Sequence, residues 1–170
     1  MSEPFYKNGL HFSCERCSFC CGHSPGFVYL SMRDLKALCA HLDMKVSEFV
    51  RSYCRWADYY DGAQVLALRE RPNYDCILWK DGCSCYESRP VQCSTYPFWS
   101  WMIKDEAAWS ECARDCPGMR NKSGKLWSFE EIEASRNAYD ANKPLTREQT
   151  EELIEQESSK SPDNAYCATR

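Results

Sequence analysis

From Phe12 to Gly22 the chain reads Phe-Ser-Cys-Glu-Arg-Cys-Ser-Phe-Cys-Cys-Gly, four cysteines within eight residues. Thiolates at this density bind soft metals. The two-residue gaps between Cys14, Cys17 and Cys20 let one loop turn three sulfurs toward a single metal centre. Cys21 breaks the pattern. Adjacent side chains are expected to diverge, so Cys21 is assigned to a second centre, as the fourth cysteine of bacterial ferredoxin runs ligates the other cluster. The competing reading is disulfides or buried free thiols.

The chain has 13 cysteines in 170 residues, an odd number that cannot all pair with one another. Met1–Lys7 shows no basic segment followed by an apolar run, so the expectation is a reducing cytoplasm, where clustered cysteines bind metal rather than form disulfides. No apolar run approaches the roughly 18 residues of a membrane span. A net charge of −4 argues against a nucleic-acid footprint, which needs a basic face. Two four-thiolate centres would each be formally dianionic. Arg16, Lys80, Arg89, Arg114 and Arg120 lie near cysteines in sequence and could soften that field. No Ser-His-Asp order, paired carboxylates in an apolar setting or phosphate loop is present, which disfavours hydrolase and kinase chemistry.

The elements that must position these thiols are short. Phe27–Leu30 reads as a strand, and Ser31 with Asp34 as a capping box that opens a helix over 31–42. Leu35, Leu38, Cys39 and Leu42 recur at helical spacing, which assigns Cys39 to the core. A second helix is predicted over 47–60, burying Phe49, Val50, Tyr53, Cys54 and Trp56 or Ala57. His23, before a Ser-Pro-Gly turn, and His41, at a helix end, are ligands by residue type only. Gln64–Arg69 and Cys76–Lys80 read as two strands of a hairpin, and Asp81-Gly82 as a tight turn that brings Cys76 and Cys83 to one region. Ser88-Arg89-Pro90 predicts a short helix carrying Cys93. Tyr96–Trp101 forms an aromatic wall, either plain core or a cover that keeps water from a metal. Cys112 and Cys116 share the last thiol-bearing loop. Helices over 128–140 and 146–157 follow, the second acidic, and a polar tail with Cys167 begins at Ser158. The expected fold class is α+β: one small cysteine-rich domain over 1–145, with short helices and a hairpin around metal centres, then an acidic helix and tail over 146–170.

Together, Cys14-x2-Cys17-x2-Cys20-Cys21, Cys76, Cys83-x2-Tyr86-x2-Arg89-Pro90-x2-Cys93-x2-Tyr96-Pro97-Phe98 and Cys116-Pro117-Gly118 resemble the CxxCxxCC, or YkgJ-type, family of zinc- or iron-chelating proteins. The resemblance runs from about Phe12 to Gly118. It implies eight metal ligands, Cys14, Cys17, Cys20, Cys21, Cys76, Cys83, Cys93 and Cys116, enough for two four-cysteine centres. Cys85 and Cys112 depart from the family pattern. The family also includes the flagellin lysine N-methylases, so an enzyme that modifies protein side chains is one alternative. A zinc-stabilised interaction domain without catalysis is another. The triple Cys-x2-Cys spacing favours iron–sulfur, two [4Fe-4S] clusters, over zinc. The expected partners are metal ions and a protein partner or substrate, with no membrane.

Overall fold

The computed structural model describes residues 3–22 and 25–159, which leaves His23 and Cys167 outside the described residues. Along them run β1 (Leu10–His11), α1 (Met32–Leu42), α2 (Val46–Tyr53), β2 (Cys54–Asp58), β3 (Gln64–Leu68), α3 (Val91–Ser94), α4 (Glu106–Ala113), α5 (Pro117–Arg120), β4 (Leu126–Trp127), α6 (Phe129–Ala141) and α7 (Arg147–Ser159). The fold is α+β, a small helical domain with two two-stranded antiparallel sheets, β1–β4 and β2–β3. No helix of the described residues is long and apolar enough to cross a membrane.

The helix starts follow local chemistry. Ser31 and Asp34 form a reciprocal capping box on α1, and Ser128 and Glu131 form one on α6, each worth about 1 kcal/mol. The Asp34 carboxylate does more. It accepts from the Ser31 amide and hydroxyl, from the Val91 amide at the start of α3 (2.9 Å) and from Asn142 Nδ2 just past α6 (3.1 Å). One buried carboxylate therefore ties three helices together, and α3 carries Cys93.

The helix expected over 47–60 ends at Tyr53. Cys54–Asp58 is instead strand β2, paired with β3 from Cys54↔Leu68 to Asp58↔Gln64 and closed by a turn in which Gly62 takes φ 83°. The helical spacing of Trp56 and Ala57 gave way to ladder bonds with a strand formed later in the chain. The hairpin is thus β2–β3. Cys76–Lys80 forms a loop with isolated bridges, Glu70↔Cys76 and Trp79↔Cys83. That loop still reverses where Asp81 and Gly82 predicted, with φ 52° and 137°. Val28–Leu30 lies along β3 without forming a named strand: the Leu30 amide donates to Leu66 O, and the Leu68 amide to Val28 O.

Two apolar cores result. The first gathers Leu30, Leu35, Leu38, Phe49, Leu66 and Leu78 with Cys39, Cys54 and Cys85; the second gathers Phe12, Phe98, Met102, Ile103, Met119 and Ile132 with Cys116. Helix α7 docks on the first. Leu153 packs against it, and Glu157 accepts from the Val46 and Ser47 amides (2.8 and 3.2 Å), supplying the N-terminal cap that the Lys45 side chain does not give α2.

Candidate metal centre

The loop from Ser13 to Gly22 runs between the two cores and is held at both ends. At one end the Lys125 amide donates to Ser13 Oγ (2.8 Å) and the Phe12 amide to Lys125 O (2.9 Å). There Gly118 passes so close to the loop that a Cβ on it would collide with the Ser13 carbonyl oxygen. This close approach seats the loop on α5, whose N-terminal boundary is Cys116. At the other end the Cys76 amide donates to Cys21 O (2.7 Å), and a Cβ on Gly22 would meet the Asp75 carboxylate. The loop is thereby stretched between Cys116 and Cys76.

Within it Arg16 and Ser18 adopt left-handed backbone, φ 53° and 62°. Non-glycine residues in this region cost free energy and gather at functional sites. They flank Cys17. Left-handed turns aim successive backbone N–H groups into a concavity that suits anions, including the sulfides of iron–sulfur clusters.

Cys14, Cys17 and Cys20 are exposed; Cys21 is half-buried. Cys20 and Cys21 do not diverge as expected, because Phe19–Cys21 is a single 3-10 turn, where successive side chains are rotated by about 120° and not thrown to opposite sides. Their sulfurs stand 3.9 Å apart. The hydrogen bond between them lowers the pKa of Cys20 and raises that of Cys21.

The remaining thiols fall into two neighbourhoods. Burial, and then the charges of Cys76, Cys20 and Cys83, hold the Cys93 thiol well above its ordinary value. Cys21 feels Cys93 and Cys76 in the same way. Burial pushes the Cys76 thiol up to about 11, with Cys83 and Cys85 adding to it. At the other end burial raises Cys116 against the pull of the Met119 amide, the Tyr96 hydroxyl and the Gly118 amide, and the charge of Cys17 reaches it. Cys112, on α4, feels Asp115 and Cys116. Cys20 sits between the groups, since both Cys93 and Tyr96 feel its charge.

Among the described residues, no three His, Cys, Asp or Glu side chains are drawn together tightly enough to hold a metal ion as they stand. The neighbourhoods are defined by approach and mutual charge, not by finished coordination. No family model matches the chain, and no solved structure matches it.

The other candidates are placed plainly. Cys39 and Cys54 are core residues, their thiols pushed up to about 11 and about 12 by burial. Cys85 is fully buried in the first core. His41 has both ring nitrogens engaged, with Ser84 O and Ser88 Oγ (each 3.2 Å). Of the nearby cations, Arg16 and Arg89 stack on the Tyr86 ring at 4.4 and 4.0 Å, and the charge of Arg89 reaches Cys20. Arg114 pairs with Glu111, and Arg120 donates to Arg114 O. In the aromatic wall Phe98 is core, while the Tyr96 hydroxyl lies 3.8 Å from Met119 Sδ on the Cys116 side. Sequence reasoning passed over Gly22 and Gly118 as site residues. Their signal was position: each directly follows a thiol-bearing pair, Cys20-Cys21 and Cys116-Pro117.

Proposed function

We propose that the chain is a metal-binding protein of the CxxCxxCC type that holds two four-thiolate centres. Cys14, Cys17, Cys20 and Cys116 would hold the first; Cys21, Cys76, Cys83 and Cys93 would hold the second. The observation that carries this reading is that separate segments come within electrostatic reach of the two ends of one loop: the charge of Cys17 reaches Cys116, those of Cys93 and Cys76 reach Cys21, and those of Cys76, Cys20 and Cys83 reach Cys93. The proposed donor set of eight thiolates fits soft metals.

Iron–sulfur clusters are favoured over zinc. The left-handed residues flanking Cys17 support that choice, as loops of this kind turn amides toward cluster sulfides. Zinc has one observation on its side, and it would put Cys20 and Cys21 on one ion in place of the two sets above: at 3.9 Å their sulfurs are spaced as two ligands of one tetrahedral zinc, about 3.8 Å for Zn–S bonds near 2.3 Å. A bound cluster would supply one-electron chemistry or a Lewis-acidic iron. The protein's own part is to hold thiolates, aim amides at them and exclude water with the Tyr96 side of the wall. The first centre would face outward through three exposed thiols, while the second would lie against the first core. We therefore assign exchange with a partner, whether redox or protein-modifying, to the first centre and a structural role to the second. A reducing cytoplasm is the compartment in which so many thiols remain available.

Metal analysis with a visible spectrum on anaerobically purified protein tests the reading. Broad visible charge-transfer bands with iron support clusters. A colourless zinc protein sinks the iron–sulfur choice, and absence of stoichiometric metal sinks the function.

A further inference from the structure

Away from the cysteines, aromatic rings from four segments of the chain meet on one face. Phe27 stacks on Tyr29 (centroids 5.6 Å apart), Tyr29 meets Tyr59 edge-to-face (5.2 Å), and Tyr59 leans on Tyr60 (4.9 Å). From the other side Trp101 packs on Trp99 (5.9 Å), and Trp99 stacks on Tyr139 (5.1 Å). The two runs adjoin. Gln92 bridges them: its Nε2 donates to Phe27 O (2.7 Å), its Oε1 accepts from the Tyr29 amide (3.1 Å), and its carbonyl oxygen accepts from Trp99 Nε1 (2.9 Å). Burying such rings is the usual outcome, yet Tyr60 is 91% exposed, Trp101 54% and Phe27 46%. Tyrosine and tryptophan combine large contact area with little conformational entropy, and they concentrate where proteins dock.

The charges of the face select the occupant. Asp61 and Asp140 are exposed at its rim and act on Tyr59 and Tyr139 respectively. The cation stacked on the run, Arg55 over Phe27 at 4.7 Å, already pairs with Glu70 at 2.9 Å. Ring faces present negative potential, and adjacent carboxylates add to it, so the surface is suited to ammonium or guanidinium groups. The net charge of −4 acts in the same direction at longer range.

We propose that the face formed by Phe27, Tyr29, Tyr59, Tyr60, Trp101 and Tyr139 docks a segment of a partner protein bearing arginine or lysine side chains, which lie on the rings and pair with Asp61 and Asp140. None of these residues is a proposed metal ligand, so the docking site stands or falls apart from the reading above.

The test uses the full chain with its metal and three probes: a nine-residue arginine–glycine peptide, a glutamate–glycine peptide of the same length, and an oligothymidine. Binding is followed by tryptophan fluorescence and calorimetry. The arginine peptide alone should bind, with affinity that falls as salt rises. Tyr60→Ala combined with Trp101→Ala should weaken it at least tenfold at unchanged metal content. Asp61→Asn with Asp140→Asn should weaken it and flatten the salt dependence. Tyr60→Phe, which keeps the ring face, should bind as the parent does. Failure of the parent chain to bind the arginine peptide overturns the proposal, as does equal binding of the acidic peptide, binding of the oligonucleotide in its place, or an undiminished double-alanine variant.

Discussion

Replacing Gly118 with alanine tests how the cysteine loop is seated. The added Cβ would collide with the Ser13 carbonyl oxygen and would press within 3.2 Å of the Phe12 ring and of the Ser13 carbonyl carbon. Backbone cannot swing aside as a long side chain can. The segment Ser13–Cys14 must therefore lift from α5, straining its bonds with Lys125 and widening the gap between Cys17 and Cys116. Overpacking of this kind costs about 1–3 kcal/mol, a large part of the roughly 5–15 kcal/mol that stabilises a domain. Gly26→Ala is the control, because its Cβ would find only Glu70 Oε1 at 3.9 Å. Urea denaturation and metal per chain are the assays. Gly118→Ala should lower stability by about 2 kcal/mol and empty the first centre selectively, while Gly26→Ala should change neither appreciably. A Gly118→Ala protein with full metal and stability within about 0.5 kcal/mol of the parent would refute the claim that this close approach seats the loop.

Asp34→Asn leaves a buried amide among donors arranged for a carboxylate, and loss of the bonds to the Val91 amide or Asn142 should cost about 3 kcal/mol in denaturant melts; a loss below about 0.5 kcal/mol would contradict the hub. Burial pushes the Cys54 thiol up to about 12 from an ordinary value of 9.0. Its neutral form is thus favoured by folding, so the associated stability is intact below pH 9 and is lost as pH rises toward 12. Melting across that window should show an alkaline loss that Cys54→Ala reduces; an unchanged pH profile in the variant would remove Cys54 as its source. Cys39, Cys54 and Cys85 should resist iodoacetamide in native protein at pH 8 and label fully in denaturant, as counted by mass spectrometry, and rapid native labelling of any of them would contradict its burial.

Local signals were legible in the sequence, and long-range ones were not. The capping boxes at Ser31 and Ser128 and the Thr146–Gln149 pair each announce a helix by bonds made within four residues, and the structure forms all three. Cys39 and Cys54 read as core by their spacing from Leu35, Leu38 and Phe49, and they are core. The end of α2 was not legible, because β2 exists only through pairing with Gln64–Leu68. The acidic composition of α7 reads as a solvated face or a loosely docked end; the helix is docked, and Glu157 is the cap of a helix more than a hundred residues earlier. At the site, the thiol spacing pointed to one wrapping loop, but the mutual approach of Cys20 and Cys21 depends on a 3-10 turn that a two-residue pattern does not encode. The close approaches at Gly22 and Gly118 likewise involve partners distant in sequence.

The most direct measurement of the central claim is metal per chain in the anaerobically purified parent protein, in Cys17→Ser and in Cys83→Ser, taken with the visible spectrum of each. Two independent thiolate centres predict about eight iron atoms in the parent, as two four-iron clusters, and about half that number in each variant, with the spectrum falling in proportion. A parent protein that carries one centre or none, or variants that both lose all their metal together, would contradict the two-centre account.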